Sequence, residues 1–238
     1  AEDDDDDDKP KALWRPDVDQ LGADEELVFD ASAYQMLHRL TMEWSCLSVD
    51  VMRDGLGYNR QGFPHTTTLV TGSQAERATD NRLYVIRASA LCRTKHDDDS
   101  ADDSDDDSDE EEDAVVDFRR VVHRGCVNRV RSMPQRSSIV ASWSDTGAVY
   151  TWDLSQQQQS LEAAAAGPTS SAPVVADEAT PPLLQYSGHT AEGYALDWST
   201  TVPGRLLSGD CARIIRLWEP RIDAGTWDVA STAPFRGH

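Results

Sequence analysis

The sequence lacks the features that mark membrane, secreted or metal-binding proteins. It contains no apolar run near the roughly 18 residues that a membrane-spanning helix needs, and its acidic start, AEDDDDDDKPK, is the opposite of a signal peptide. Cysteine is scarce, with no Cys-x-x-Cys pair, and the six histidines show no metal-ligand spacing with it. We therefore expect an intracellular protein with no metal and no cofactor, whose reduced thiols are Cys46, Cys92, Cys126 and Cys211.

Motifs for catalysis are also missing. The sequence has no GxxxxGK[ST] phosphate loop and no nucleophile elbow. Ser144, Asp145, His123 and Cys126 could be arranged on paper as catalytic groups, but they lack an activating spacing. Their ordinary interpretation is as turn and strand residues, so we expect a protein that is not an enzyme.

Negative charge is what the sequence has in excess, and that charge is concentrated. The formal net charge is −21, from 43 acidic and 22 basic residues. Residues 2–8 are seven consecutive acids, and residues 97–113, here called the acidic run, contain thirteen acids and no base. The rest of the chain is nearly neutral, so two polyanionic segments are attached to a balanced body.

Such concentrated charge restricts the partners. It repels the phosphate backbone of nucleic acids and the anionic surface of membranes, whereas it attracts cationic proteins. We expect a basic protein as partner, with no membrane binding and no direct nucleic-acid binding through these segments.

Composition and hydrophobic periodicity divide the chain into segments. The short strands and polar connections predict an all-β body with decorations. The predicted segments are an acidic disordered tail (1–28), a helix packed on the body (29–43), the first strands (44–92), a disordered acidic loop (93–117), and further strands (118–238) interrupted by a low-complexity loop (155–182).

The helix prediction depends on spacing. Tyr34, Leu37, His38 and Thr41 recur at helical intervals, after possible caps at Asp30 or Ser32. From Trp44 the period changes to two, which indicates a strand. In the low-complexity loop, four prolines limit any helix to a turn or two.

One stretch carries an ordered repeat signature. Residues 187–220, SGHTAEGYALDWSTTVPGRLLSGDCARIIRLWEP, run from a Gly-His pair to a Trp-acid pair. That order is typical of a WD40 propeller blade, whose period is about 40–45 residues. Trp152 and Asp153 supply a second closing pair upstream. We therefore predict a partial WD40 β-propeller.

The residues of this signature are predicted to be structural. In a blade, the histidine, a hydroxyl, a turn aspartate and the closing tryptophan can form a hydrogen-bonded set that locks outer strands to inner ones. The usual turn aspartate, six residues before the tryptophan, is replaced by Ala212, so we expect a variant turn. The predicted blade residues are Trp152, Asp153, Gly188, His189, Ser208, Asp210 and Trp218.

Several segments together resemble the glutamate-rich WD-repeat protein family. These are eukaryotic ribosome-assembly factors related to the retinoblastoma-associated histone-binding WD-repeat chaperones. The resembling segments are YQMLHRLTMEWSCLSVDVMRD, GSQAERATDNRLYVIR, NRVR, GYALDWS and GRLLSGDC. The family is usually seven-bladed, so the roughly two and a half blades recognised here are expected to be an N-terminal fragment of a ring.

The resemblance implies a chaperone of the nucleus, mainly the nucleolus. Such proteins escort a basic large-subunit ribosomal protein to pre-ribosomal particles, and some also bind histones. In the related histone chaperones, an N-terminal helix and an acidic loop form a groove for a basic client helix. Matched by segment, the expected client-binding residues are Tyr34, Leu37, His38, Thr41, Asp97, Asp98, Asp99, Asp102, Asp103, Asp105, Asp106, Asp107, Asp109, Glu110, Glu111, Glu112 and Asp113.

The acidic run also contains candidate modification sites. Ser100, Ser104 and Ser108 each precede an acid by three residues, the pattern that an acidophilic kinase favours. Phosphorylation would add roughly −1.5 to −2 charges per serine.

An alternative function stays open at this point. Trp218, Glu219 and Arg221 resemble the WDxR box by which some WD-repeat proteins dock onto cullin-type ubiquitin-ligase scaffolds. The match has Glu in place of Asp, and simple blade closure also explains it. A substrate receptor is therefore the second hypothesis beside the chaperone.

Overall fold

The computed structural model describes residues 14–22, 25–30, 33–94, 114–165, 180–221, 226–229 and 235. Within these ranges the chain forms three four-stranded antiparallel sheets and one α-helix. Each sheet consists of four strands that follow one another along the chain. Successive four-stranded sheets are the blades of a propeller, so the predicted all-β, partial WD40 propeller is confirmed.

The first sheet contains the acidic run between its last two strands. Its strands are β1 (Ser45–Met52), β2 (His65–Gln74), β3 (Arg82–Leu91) and β4 (Val115–Val122), paired in that order, with a short 3₁₀ turn (Ala78–Asp80) before β3. The predicted loop boundary at residue 117 is wrong, because β4 already begins at Val115, opposite Ser89. The β-branched residues that open β4 favour a strand and extend it towards the acids.

The second and third sheets repeat the same plan. The second contains β5 (Val127–Met133), β6 (Arg136–Ser144), β7 (Val149–Asp153) and β8 (Leu184–Tyr186). The third contains β9 (Gly193–Trp198), β10 (Leu206–Asp210), β11 (Ile215–Arg221) and β12 (Thr226–Val229). The described residues thus hold three sheets rather than about two and a half, since β4 completes the first and β12 the third.

A helix occupies the start of the predicted low-complexity loop. Helix α1 (Ser155–Ala165) has eleven residues, more than the one or two turns expected. The Asp153 carboxylate accepts a hydrogen bond from the Ser155 amide (3.0 Å), and Leu161 is buried. Capping and burial of one side chain stabilise a segment that already favours helix through its glutamines and alanines.

The predicted N-terminal helix, residues 29–43, is wrong for the part that the structure describes. Residues 34–44 contain no helical turn. Their backbone instead bonds to the segment after β3: the Leu37 amide donates to Thr94 Oγ1 (2.8 Å) and the Thr94 amide donates to the Gln35 carbonyl (3.0 Å). A short isolated helix is marginal in water, so these tertiary hydrogen bonds prevail over helical spacing.

Neighbouring sheets enclose two apolar cores. The first lies between the first and second sheets and includes Met52, Leu83, Val85, Val121, Val130 and Trp152. The second lies between the second and third sheets and includes Trp143, Val149, Leu196, Trp198 and Trp218. Gly193 opens β9 beside Trp143, where any side chain would overlap the indole ring and the Gly209 carbonyl.

The seam between the first and second sheets is polar along β1. Ser48 Oγ accepts a hydrogen bond from the Val130 amide (3.1 Å), and Asp50 Oδ2 accepts one from the Ser132 amide (2.8 Å). The polar side of β1 therefore faces β5, while Leu47, Val49 and Val51 are exposed on the other side.

One hydrogen-bonded set recurs in the second and third sheets. In the second, Trp152 Nε1 donates to Ser142 Oγ (2.9 Å), which lies 3.0 Å from His123 Nε2. In the third, Trp218 Nε1 donates to Ser208 Oγ (2.8 Å), which lies 2.8 Å from His189 Nε2. Both serines are at most 1% exposed. Each set joins an outer strand to an inner one through a single buried hydroxyl.

The other nitrogen of each histidine fixes its proton. Nδ1 of His123 lies 2.9 Å from the Gly125 carbonyl, and Nδ1 of His189 lies 2.9 Å from an Asp210 carboxylate oxygen. Because these oxygens only accept, Nδ1 carries the hydrogen, and Nε2 of the neutral ring accepts from the serine hydroxyl. Asp210 also accepts from the Ile214 amide (2.9 Å), and so closes the β10–β11 turn despite Ala212.

Neither a spanning helix nor a metal cluster occurs in the part of the chain that the structure describes. None of the helices there is long and apolar enough to cross a membrane. No group of three or more His, Cys, Asp or Glu side chains there could hold a metal ion.

Replacing Ser142 tests the hydrogen-bonded set. Ser142→Ala leaves the Trp152 indole N–H and His123 Nε2 without their buried partner, so the free energy of unfolding should fall by about 2–3 kcal/mol. Urea denaturation measures this change. Ser187→Ala, at an exposed serine, is the control and should have almost no effect. Equal stability of the two variants would contradict the structural role of the set.

Buried neutral histidines predict loss of stability in mild acid. Burial lowers the pKa of His123 from 6.5 to about 4, and burial also lowers the pKa of His189, against the opposing effect of Asp210. Above pH 6.5 both rings are neutral in the folded and unfolded chain. Between pH 6.5 and 4 the unfolded chain binds protons that folded His123 does not, so about 3 kcal/mol of stability should be lost for this residue. Chemical denaturation at pH 7 and at pH 4.5 measures the loss, which should shrink in His123→Gln.

Candidate functional site

The exposed outer part of the first sheet brings the predicted client-binding segment next to the acidic run. Residues 34–44 start beside the end of β3, where Leu37 and Gln35 bond to Thr94 and where His38 Nε2 lies 3.0 Å from the Cys92 carbonyl. We call residues 34–44, residues 92–94 and β4 the outer-strand surface.

Covalent geometry attaches both ends of the acidic run to this surface. Thr94 is three residues before the first acid of the run, and β4 begins two residues after the last one. At most about 3.6 Å separates successive Cα atoms along the chain axis, so the terminal acids lie within roughly 7–11 Å of described residues. The thirteen acids themselves, and Ser100, Ser104 and Ser108, lie outside the described residues.

The four predicted client-binding residues of the N-terminal segment divide into two groups. Tyr34 is 43% exposed and Thr41 is also exposed, as is the neighbouring Met36. Leu37 and His38 are half-buried, and both bond to residues that follow β3. The first pair is therefore accessible to a partner, whereas the second pair holds the segment in place.

A pocket lies at the other end of the same segment. Its volume is about 230 Å³, and its lining combines two acids, two arginines and two aromatic residues: Glu43, Trp44, Asp80, Arg82, Tyr84 and Arg120. The pKa of Tyr84 is raised, first by burial and then by the Glu43 carboxylate. No local sequence pattern indicates this pocket, because its residues come from separate segments that only the fold brings together.

The residues that could be arranged on paper as catalytic groups instead close the turn at the start of the second sheet. Ser144 Oγ donates to the Arg124 carbonyl (2.7 Å), and Asp145 Oδ1 accepts from the Cys126 amide (2.9 Å). His123 is buried and bonded through both ring nitrogens. None of these contacts pairs a nucleophile with a free base.

Sequence reasoning missed His123 as a blade residue. The interval from histidine to serine is 19 residues and that from serine to tryptophan is 10, in the second sheet as in the third. This shared spacing was the available signal. It was obscured because His123 follows Val122 rather than the glycine that precedes His189.

The residues of the possible ligase-docking box have unequal access. Trp218 is 1% exposed and bonded to Ser208, and Glu219 pairs with Arg205. Arg221 is exposed at the end of β11. The box stays a prediction.

Three curated relatives match 96% of the chain. The glutamate-rich WD repeat-containing protein 1 of Dictyostelium discoideum is 42% identical over 240 residues, which are 47% of its own length. The chain is a homologue of the glutamate-rich WD-repeat proteins. The other two relatives are the protein HEAT STRESS TOLERANT DWD 1 of Arabidopsis thaliana (44% identical, 51% of its length) and the ribosome assembly protein rrb1 of Schizosaccharomyces pombe (38% identical, 46% of its length).

The predicted resemblance to this WD-repeat family is thus confirmed, and the chain spans about half the length of the curated relatives it matches. Residues 24–92 also match the family model for the histone-binding protein RBBP4 and its counterpart in the CAF1 complex. The matched region ends at Cys92, so it includes the segment 34–44 and the first three strands.

Removing one hydrogen bond should loosen the segment 34–44. Thr94→Val deletes the acceptor of the Leu37 amide, so hydrogen exchange at Leu37 should accelerate about fivefold, as expected for a bond worth about 1 kcal/mol. Exchange followed by NMR measures this rate. Thr201→Val, at an exposed threonine between β9 and β10, is the matched control. Unchanged exchange at Leu37 in the first variant would contradict the described anchoring.

Proposed function

We propose that this chain is a non-enzymatic WD40 binding protein that shields a basic client protein by means of the acidic run. The observation that carries the proposal is the position of the charge. Thirteen acids without a base are attached at both ends to the outer-strand surface of a nearly neutral body. A uniformly acidic surface would favour solubility, whereas one concentrated run creates a local field for a cationic partner.

The client class that fits best is a basic large-subunit ribosomal protein on its way to pre-ribosomal particles. A relative named as a ribosome assembly protein matches nearly the whole chain, which supports this choice. The family model named for a histone-binding protein supports core histones as a second client. Both client classes are consistent with a place in the nucleus, and the ribosomal client with the nucleolus.

The mechanism follows from screened electrostatics. Each acid of the run is an individually weak partner, typically worth below 1 kcal/mol, so capture needs many acids together. Their field decays over about 8–10 Å at physiological ionic strength, so capture should weaken steeply with salt. While bound, the run occupies cationic groups that would otherwise contact RNA, and phosphorylation of Ser100, Ser104 and Ser108 would strengthen this effect.

The body contributes contacts that the run does not. Tyr34, Met36 and Thr41 are exposed beside the attachment of the run, and they offer aromatic, apolar and hydroxyl contacts to a client held there. Leu37 and His38 keep this segment on the sheet. We therefore assign specificity to the exposed side chains and the association rate to the acids.

Neutralising the run tests the proposal. In one variant, the thirteen acids of residues 97–113 become Asn or Gln, so that length is kept; in the control, the seven acids of residues 2–8 are neutralised. The association rate with a purified basic large-subunit ribosomal protein, measured by stopped flow, should fall at least about tenfold in the first variant. Its salt dependence should also become shallower, with the melting temperature unchanged.

The smaller neutralisation should have a weaker effect, because its acids are not attached to the outer-strand surface. The same measurement with core histones ranks the two client classes. An unchanged rate and salt slope after neutralisation of residues 97–113 would overturn the proposal.

A further inference from the structure

The outer edge of the first sheet is unusually long. β4 is the last strand of that sheet and has eight residues, whereas the outermost strands of the other two sheets, β8 and β12, have three and four. Among the described residues no strand pairs with the outer side of β4. Natural proteins usually keep such edges short, because a free row of backbone donors and acceptors invites another strand.

The side chains of β4 do not close this edge. Val115, Val116 and Val122 are 51%, 37% and 46% exposed, so apolar residues stand at both ends of the strand. Lysine, proline or a bulge would normally protect an exposed edge, and the strand VVDFRRVV contains no lysine or proline. Its pairing with β3 continues without a register shift from Ser89–Val115 to Arg82–Val122.

The strand is also held rigidly from its inner side. Val121 is fully buried in the first core, and Arg119 Nε donates to Ser160 Oγ of α1 (3.0 Å). On the opposite face, the Phe118 ring packs edge-on against Tyr84. A partner strand would therefore meet a preformed template and would not bear the cost of ordering it.

The charge next to the edge identifies the occupant. The last acid of the acidic run is two residues before Val115, so its Cα lies within about 7 Å of the edge whatever path the run takes. The three residues before it are also acids, and this distance is shorter than the screening length at physiological salt. An acidic or nucleic-acid partner is repelled there, whereas an extended basic peptide is attracted.

We propose that the outer edge of β4 binds an extended basic segment of a partner protein as a fifth strand of the first sheet. Main-chain hydrogen bonds hold the segment, and its alternate side chains lie over the two faces of the sheet. The proposal rests on the proposed function, since it names the place and the conformation in which part of a basic client is bound.

Two peptides of equal charge separate strand addition from charge attraction. The first, of about ten residues, alternates Arg and Val; the second alternates Arg and Pro, which removes every second backbone donor. The first should bind the whole chain at least about tenfold more tightly in calorimetry, because lost main-chain bonds weaken the second. Hydrogen exchange of β4 amides should slow at least about tenfold with the first peptide only.

Matched variants locate the site. Val116→Lys places a charge on the edge and should weaken the Arg-Val peptide at least about fivefold. Leu207→Lys adds the same charge at a similarly exposed position of the third sheet and should not weaken it specifically. Both variants should keep the melting temperature of the parent chain.

The outcomes distinguish this inference from the proposed function. Equal binding of the two peptides, both dependent on residues 97–113, would overturn strand addition and leave the shielding function intact. Binding of the ribosomal protein that is insensitive to neutralisation of the run would overturn the shielding function itself. Slowed exchange in β4 on addition of single-stranded RNA would overturn the assignment of a basic peptide.

Discussion

A single buried hydroxyl holds each of the last two sheets together. Ser142 and Ser208 lie between a tryptophan of an outer strand and a histidine that precedes the inner strand, and each hydroxyl both accepts and donates. A buried polar group is costly unless its partners are present, so these sets tolerate little displacement. They fix the outer strand against the inner one, and the apolar cores between sheets depend on that alignment.

The sequence predicted the parts of the fold that follow from local chemistry. Period-two runs such as WSCLSVDVM marked the strands, and the order of Gly188, His189, Ser208 and Trp218 marked a blade. It could not predict that segment 34–44 would satisfy its backbone groups at Thr94, because that contact joins residues far apart in the chain. Alternation in β1 also hid which side is buried: Ser48 and Asp50 face the second sheet, while the apolar Leu47 and Val49 are exposed.

The candidate site was predictable in the same unequal way. Charge counting found the acidic run, and spacing singled out Tyr34 and Thr41, which the structure leaves exposed near its attachment. The pocket around Trp44 and Tyr84 and the long edge of β4 had no local signature, since they arise from pairing between strands. Shape and edges are properties of the assembled sheet, whereas charge is a property of the chain.

The fixed histidine–serine–tryptophan interval has a consequence for how this chain can change. In both sheets the interval is occupied without an insertion, whereas the two biased stretches, 97–113 and 155–182, lie outside it. Length and charge are therefore free to vary between intervals and constrained within them, because lengthening a flexible connection adds only about 0.6 kcal/mol per doubling. The acidic run is in this sense a replaceable cassette: a different cargo could be served by exchanging the connection between β3 and β4 while the blades stay as they are.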